Sequence, residues 1–196
     1  LNLLREGNVE EAYRMVLDYT PFPGSVCGSV CPNPCMQSCT RTDLDSPVQI
    51  GKLGSCSADI TVEKPKTRTG KHIGVIGGGV GGLTAAWQLA RLGHDVTVYE
   101  ADSVMGGKLE QVIPRARLNH DLLRKELKRI EDMGVTFVNN CHVDAKKLAE
   151  LRKKHAAVVV ASGGHVPRIF PWPGHEKIVA GIDFLKAINK GEKPAV

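Results

Sequence analysis

The nine residues Val75-Ile76-Gly77-Gly78-Gly79-Val80-Gly81-Gly82-Leu83 restrict what this chain can become more than any other stretch. They contain Gly77-x-Gly79-x-x-Gly82, a pattern that arises by chance in glycine-rich chains and is informative only in context. The context here is ordered. His72 to Ile76 reads as a short strand, and Leu83 to Arg91 as a helix that Gly93 ends. Asp95 to Tyr99 alternates β-branched residues as a second strand, and Glu100 follows it eighteen positions after Gly82. Strand, glycine turn, helix and strand within about 30 residues form a βαβ unit, which commits the region to a parallel sheet of the α/β class. Gly77 suits the tight turn, Gly79 lets backbone approach a pyrophosphate, and Gly82 lets helix and strand pack closely. The unpaired N–H groups and the dipole of the helix N-terminus then favour a dinucleotide's phosphates. Glu100 can accept hydrogen bonds from ribose hydroxyls but would repel a 2′-phosphate, so the turn disfavours NADP. Periodicity alone does not separate FAD from NAD.

Composition agrees with an ordered chain. Of 196 residues, 42% are hydrophobic and 24% charged, the balance of a folded globular protein. No apolar run reaches the roughly 18 residues of a membrane span. Aromatic residues are 5% and the net charge is +5, so neither a stacking platform nor a strong basic face points to nucleic acid. The start, Leu1-Asn2-Leu3-Leu4-Arg5, shows no initiator Met and no targeting pattern, and reads as a chain cut within an element. Apolar positions at helical spacing predict one or two short helices between Asn2 and Asp18, broken by Tyr19-Thr20-Pro21-Phe22-Pro23-Gly24. A further short helix is expected within Pro47 to Ala58. The polar run Glu63 to Lys71 reads as a linker, which divides the chain into a module of residues 1–65 and a domain of residues 66–196. In the latter, a helix from Asp121 to Met133, buried strands at Val135 to Val138 and Ala156 to Ala161, and a helix from Asp183 to Ile188 are expected.

The first module holds the second chemical signal. Cys27, Cys31, Cys35 and Cys39 recur every fourth residue, while Pro32 and Pro34 prevent one helical stripe. Nothing signals secretion, so a disulfide framework is a poor fit, and a cytoplasmic, reducing setting points to a metal centre. Zinc accepts four thiolates, but its pairs are usually separated by a longer gap. A [4Fe–4S] cluster tolerates compact loops with Pro beside a ligand. Cys56 is either a further thiolate or a small buried apolar residue, and Cys141 reads as core. The seven histidines show no ligand spacing, no Gly-x-Ser-x-Gly elbow exists, and no side chain is marked as a general acid or base. The charged residues Arg124 to Asp132 read as a solvated helix face.

Further motifs carry a resemblance. The stretch from Pro21-Phe22-Pro23 through the cysteines to Pro47-Val48, then Gly106-Gly107-Lys108-Leu109, Ile113-Pro114-Arg115-Ala116-Arg117-Leu118, Ala161-Ser162-Gly163-Gly164 and Gly181 to Leu185, is similar to the glutamate synthase small-subunit family. That family includes the electron-input half of dihydropyrimidine dehydrogenase. Ser162 stands where relatives usually carry threonine. The resemblance implies an α-helical iron–sulfur module followed by a Rossmann-like FAD-binding domain, incomplete because the family's inserted NADPH domain and its closing segment are not in this sequence. It implies FAD contacts at Gly77, Gly79, Gly82, Glu100, Gly107 and Arg117. It also implies Cys31, Cys35 and Cys39 as ligands in two [4Fe–4S] clusters shared with an upstream cysteine-rich segment, with Cys27 usually not a ligand. The implied function is an electron-transfer piece of an NAD(P)H-dependent oxidoreductase working with a redox partner subunit, and inactive as the isolated chain. A non-catalytic assembly subunit, or an NAD-binding domain with a zinc-binding appendage, are the alternatives.

Overall fold

The computed structural model describes residues 1–194. Its centre is a parallel four-stranded sheet in the order β3-β2-β1-β4, formed by β1 His72–Ile76, β2 Asp95–Tyr99, β3 Thr136–Val138 and β4 Ala157–Val160. Register runs His72 opposite Asp95 and Ile73 opposite Ala157, so β1, with neighbours on both sides, is the sheet's axis. The expected βαβ unit is present: β1 leads through the glycine turn into α5 Val80–Arg91 and back to β2. Leu83, Ala86, Trp87 and Ala90 fall on one face of α5, as its 3.6-residue period requires, and all four are buried in the core with Val75 and Val98.

The N-terminal residues form short helices: α1 Asn2–Arg5, α2 Val9–Leu17, a π-helix at Pro23–Val30, α3 Pro34–Gln37 and α4 Ile50–Cys56. Pro23 and Gly24, read as helix-breaking, instead open the π-helix, because Pro at the first helical position gives up an N–H that has no partner there anyway. Residues 61–71 carry no regular element. The core nevertheless runs through both parts: Leu17 and Phe22 belong to the same buried cluster as Val75 and Leu83. The indole N–H of Trp87 donates to the Leu17 carbonyl at 2.9 Å, fastening α2 to α5.

The further α-helices are α6 Lys108–Gln111, α7 His120–Asp132, α8 Ala145–Lys154 and α9 Gly181–Asn189. Three expectations are corrected. Strand β4 is not buried, since Val160 is 63% exposed; it pairs on one side only, with β1. The strand at residues 136–138 is likewise at best half-buried, being the opposite edge. The charged run of α7 is not wholly a solvated face, because Glu126 and Arg129 turn inward and are buried against the N-terminal module. Among the described residues no helix is long and apolar enough to cross a membrane.

Candidate functional site

A cavity of about 800 Å³ opens beyond the C-terminal ends of β1, β2 and β4. That is where ligands bind in open α/β sheets, because the loops leaving adjacent strands diverge there. Gly77, Gly79, Glu100, Gly107, Cys141 and Ser162 are among its walls. The geometry follows from the chain. Gly77, at φ +103°, reverses the backbone after β1, and its N–H donates to the Tyr99 carbonyl at 2.8 Å. Gly79 is the N-cap of α5. A side chain there would find only the Gly107 Cα, 4.0 Å away, so Gly79 borders open space. Gly107, at φ +52°, lies across the cavity mouth, where a Cβ would stand 2.8 Å from the Gly79 Cα. The Gly106 N–H donates to the Gly78 carbonyl at 2.8 Å, so the 106–107 loop is tied onto the glycine turn.

Glu100 is 8% exposed and stands at the end of β2. Its Oε2 accepts from the Gly78 N–H at 2.6 Å, and its Oε1 from the Asp102 N–H at 2.9 Å. The carboxylate thus braces the turn and keeps lone pairs free for a hydroxyl ligand.

Of the expected contacts, Gly77, Gly79, Glu100 and Gly107 come together around this cavity, and Gly82 lies behind it. A Cβ on Gly82 would collide with the Gly77 carbonyl oxygen, so its part is to close α5 onto the turn. Arg117 is elsewhere. It borders a second, more open cavity of about 660 Å³ with Gly28 and Ser29, and donates to the Val30 carbonyl at 3.4 Å. Cys141 is not core: it is half-buried on the wall of the first cavity beside His142, with its N–H on the Glu100 carbonyl at 2.7 Å. Both follow β3 as Glu100 follows β2, and the loop at the C-terminal end of a parallel strand is the signal that would have placed them.

All six cysteines are free thiols. Cys27 lies in the π-helix, Cys31 at its C-cap, Cys35 in α3 and Cys39 just beyond. Burial, with the neighbouring Cys31 and Cys35, pushes the Cys27 thiol up. Backbone N–H groups of Val48 and Arg41 draw the Cys39 thiol down, towards the thiolate that binds metal. Cys56 is exposed and donates to the Lys52 carbonyl at 3.5 Å, so it is not a small buried apolar residue. Among the described residues no three His, Cys, Asp or Glu side chains stand close enough to hold a metal ion. The thiol donors are of the kind that binds iron and sulfide.

Comparison with known proteins bears on both parts. Residues 1–66 match the family model "dihydropyrimidine dehydrogenase domain II, 4Fe-4S cluster", and residues 75–122 match "NAD(P)-binding Rossmann-like domain". The NAD-dependent dihydropyrimidine dehydrogenase subunit PreT of Escherichia coli is 34% identical over 178 residues, covering 86% of this chain and 43% of PreT. The glutamate synthase [NADPH] small chain of Azospirillum brasilense is 36% identical over 204 aligned positions, covering 97% of this chain and 42% of the relative. Over most of its length the chain is similar to the glutamate synthase small chain and to PreT. It spans about two fifths of the length of these two relatives. A solved 2-naphthoyl-CoA reductase complex shares the fold, with a TM-score of 0.51 at 22% identity over 76% of this chain and 21% of that one. Both relatives carry oxidoreductase names, and the expectation of an α/β, Rossmann-like domain behind a stretch that matches an iron–sulfur domain holds.

Proposed function

We propose that this chain is the flavin-holding and cluster-bearing part of an NAD(P)H-dependent oxidoreductase. The observation that carries the reading is the backbone cradle between Gly79 and Gly107 at the mouth of a cavity that Glu100 borders. Its fit to FAD rests on three features. Open space in front of Gly79 leaves the first-turn N–H groups of α5 free to take a pyrophosphate, aided by the positive end of the helix. Glu100, already braced by two N–H groups, accepts from ribose hydroxyls and repels a 2′-phosphate. The cavity then continues past Cys141 and His142 on one side and Ser162 on the other, enough to bury an extended dinucleotide.

FAD bound there would take a hydride and release electrons one at a time. The chain's own residues orient the group and exclude water. Gly107 lets the 106–107 loop lie close over the turn, and the positive φ it needs is cheap for glycine. Cys31, Cys35 and Cys39 are proposed as iron ligands, completed by donors beyond this chain and divided between centres. Cys27, whose thiol is held protonated, is left out. The words "small chain" and "subunit" in the names of the relatives support a partner subunit as electron acceptor. The hydride donor needs a site of its own, because transfer demands reacting atoms at roughly 3–3.5 Å, and the chain carries one glycine fingerprint.

The test is an absorption spectrum with flavin, iron and sulfide analysis of protein purified without oxygen. Flavin bands over a broad iron–sulfur shoulder are expected. A colourless protein containing zinc would overturn the reading.

A further inference from the structure

The π-helix Pro23–Val30 ends on Cys31, so whatever fixes this helix places the first proposed ligand. Its own residues do not fix its start. The N-cap, Phe22, offers no side-chain acceptor, and Pro23 has no N–H to give. The next two N–H groups, of Gly24 and Ser25, would be orphans at a buried helix end.

Both are taken by one carboxylate from the other domain. Glu126, in the second turn of α7 and fully buried, accepts from the Gly24 N–H at 2.7 Å through Oε1 and from the Ser25 N–H at 3.1 Å through Oε2. The Ser25 hydroxyl donates to the same Oε2. One turn further along α7, Arg129 is also buried. It donates to the Ser57 carbonyl at 2.7 Å, the Ile60 carbonyl at 3.1 Å and the Pro21 carbonyl at 3.4 Å. These residues lie before and after the whole cysteine segment. At the far end of the π-helix, Arg117 donates to the Val30 carbonyl. Donors and acceptors are therefore matched to the helix's polarity, with a carboxylate at its N–H end and a guanidinium at its carbonyl end.

We propose that Glu126 is a positioning residue for the cysteine segment: it caps the π-helix from the flavin domain and sets where Cys31 stands, so that a cluster forms only when the two domains are docked. This rests on the iron–sulfur reading above and adds a role for a residue that ligates nothing. A buried carboxylate facing three donors is costly to leave half-made, because removing the acceptor strands two buried N–H groups. Burial pushes the Glu126 carboxyl up, and the bonds from Ser25 and Gly24 pull it back towards the ionised form that the cap requires.

The experiment introduces Glu126→Gln into the native protein, purified anaerobically, and measures iron, sulfide and flavin per chain, with the electron paramagnetic resonance spectrum of the reduced protein. Iron content is expected to fall about tenfold, the equilibrium cost of one stranded buried donor, since the Gln amide keeps one acceptor oxygen and sets an NH2 against the other N–H, with flavin content unchanged. Any residual cluster should show shifted g values. Ser25→Ala removes only the hydroxyl bond and should shift the same spectrum in the same direction by less; it decides the matter where the Gln variant does not fold. A parent with iron whose variants keep its iron content and g values would overturn the positioning role alone. Equal loss of flavin and iron would overturn it too, reducing Glu126 to a residue that holds the fold. A parent without iron would overturn both this role and the iron–sulfur reading.

Discussion

The two halves of the molecule present their chemistry in opposite ways. In the dinucleotide domain the site is built locally: Gly77, Gly79 and Glu100 lie within one βαβ unit, and the bonds that shape the cradle are mostly backbone to backbone or to Glu100. In the cysteine module the thiols sit on or beside short helices, and their anchors come from far along the chain. Glu126 reaches residues 101 and 102 positions away. A site made of its own turn is preformed, whereas one pinned from another domain depends on docking. If the comparison is right, each half can be damaged without the other.

The largest separation is expected from Gly79→Val. Its Cβ would enter open space beside Gly107 rather than a packed contact, so folding should survive, while the new side chain shields the N–H groups of α5. Loss of two charge-assisted hydrogen bonds at about 1.5–3 kcal/mol each should lower flavin affinity a hundredfold or more. Iron content should not change. Isothermal titration with FAD and iron analysis would check both arms, and a parallel loss of iron would break the comparison.

Glu100→Ala is expected to come next, at about 1–3 kcal/mol of flavin affinity, the cost of one hydrogen bond to a charged group. Flavin content equal to the parent's, measured after gel filtration, would remove Glu100 from the site.

A third prediction concerns the sheet of the second half. His155 is buried under β1, its Nε2 2.9 Å from the Tyr99 hydroxyl, and burial followed by the charge of Lys154 lowers its pKa below the usual 6.5. The folded protein then binds fewer protons than the unfolded chain, so this stability is present above pH 6.5 and is lost as pH falls through the depressed value. Thermal melts should show a Tm that declines from pH 7 to pH 5, and His155→Gln should flatten that decline. An unchanged slope would show that His155 does not titrate on unfolding.

The smallest effect is assigned to Arg117→Ala. Its exposed guanidinium borders the other cavity, so flavin affinity should change by less than about 0.5 kcal/mol. A larger loss would join the two cavities into one site and blur the comparison.

The same contrast explains what was legible in the sequence. Strands β1 and β2 agree with the sequence reading residue for residue, because Gly77 and Gly93 punctuate the unit and both strands are paired on two sides. Most of the cradle was legible for the same reason: its residues are neighbours along the chain. Helix α8 was not, since Leu148 and Leu151 are its few large apolar residues among lysines, too little for a periodic signal. Cys141 was read as core because a lone thiol usually is, yet its position after β3 puts it on the cavity. Glu126 and Arg129 look like any charges on an amphipathic helix. Their partners lie in another domain, and no local pattern carries that information.

On the function proposed above, the glycine cradle takes FAD with free ribose hydroxyls. The most direct measurement is a fluorescence titration of the purified apoprotein with FAD and, separately, with NADP⁺. The account predicts saturable 1:1 quenching by FAD and no binding of NADP⁺ at concentrations that saturate FAD, with Glu100→Ala weakening the former. Tight NADP⁺ binding, or a chain that takes up no FAD, would contradict it.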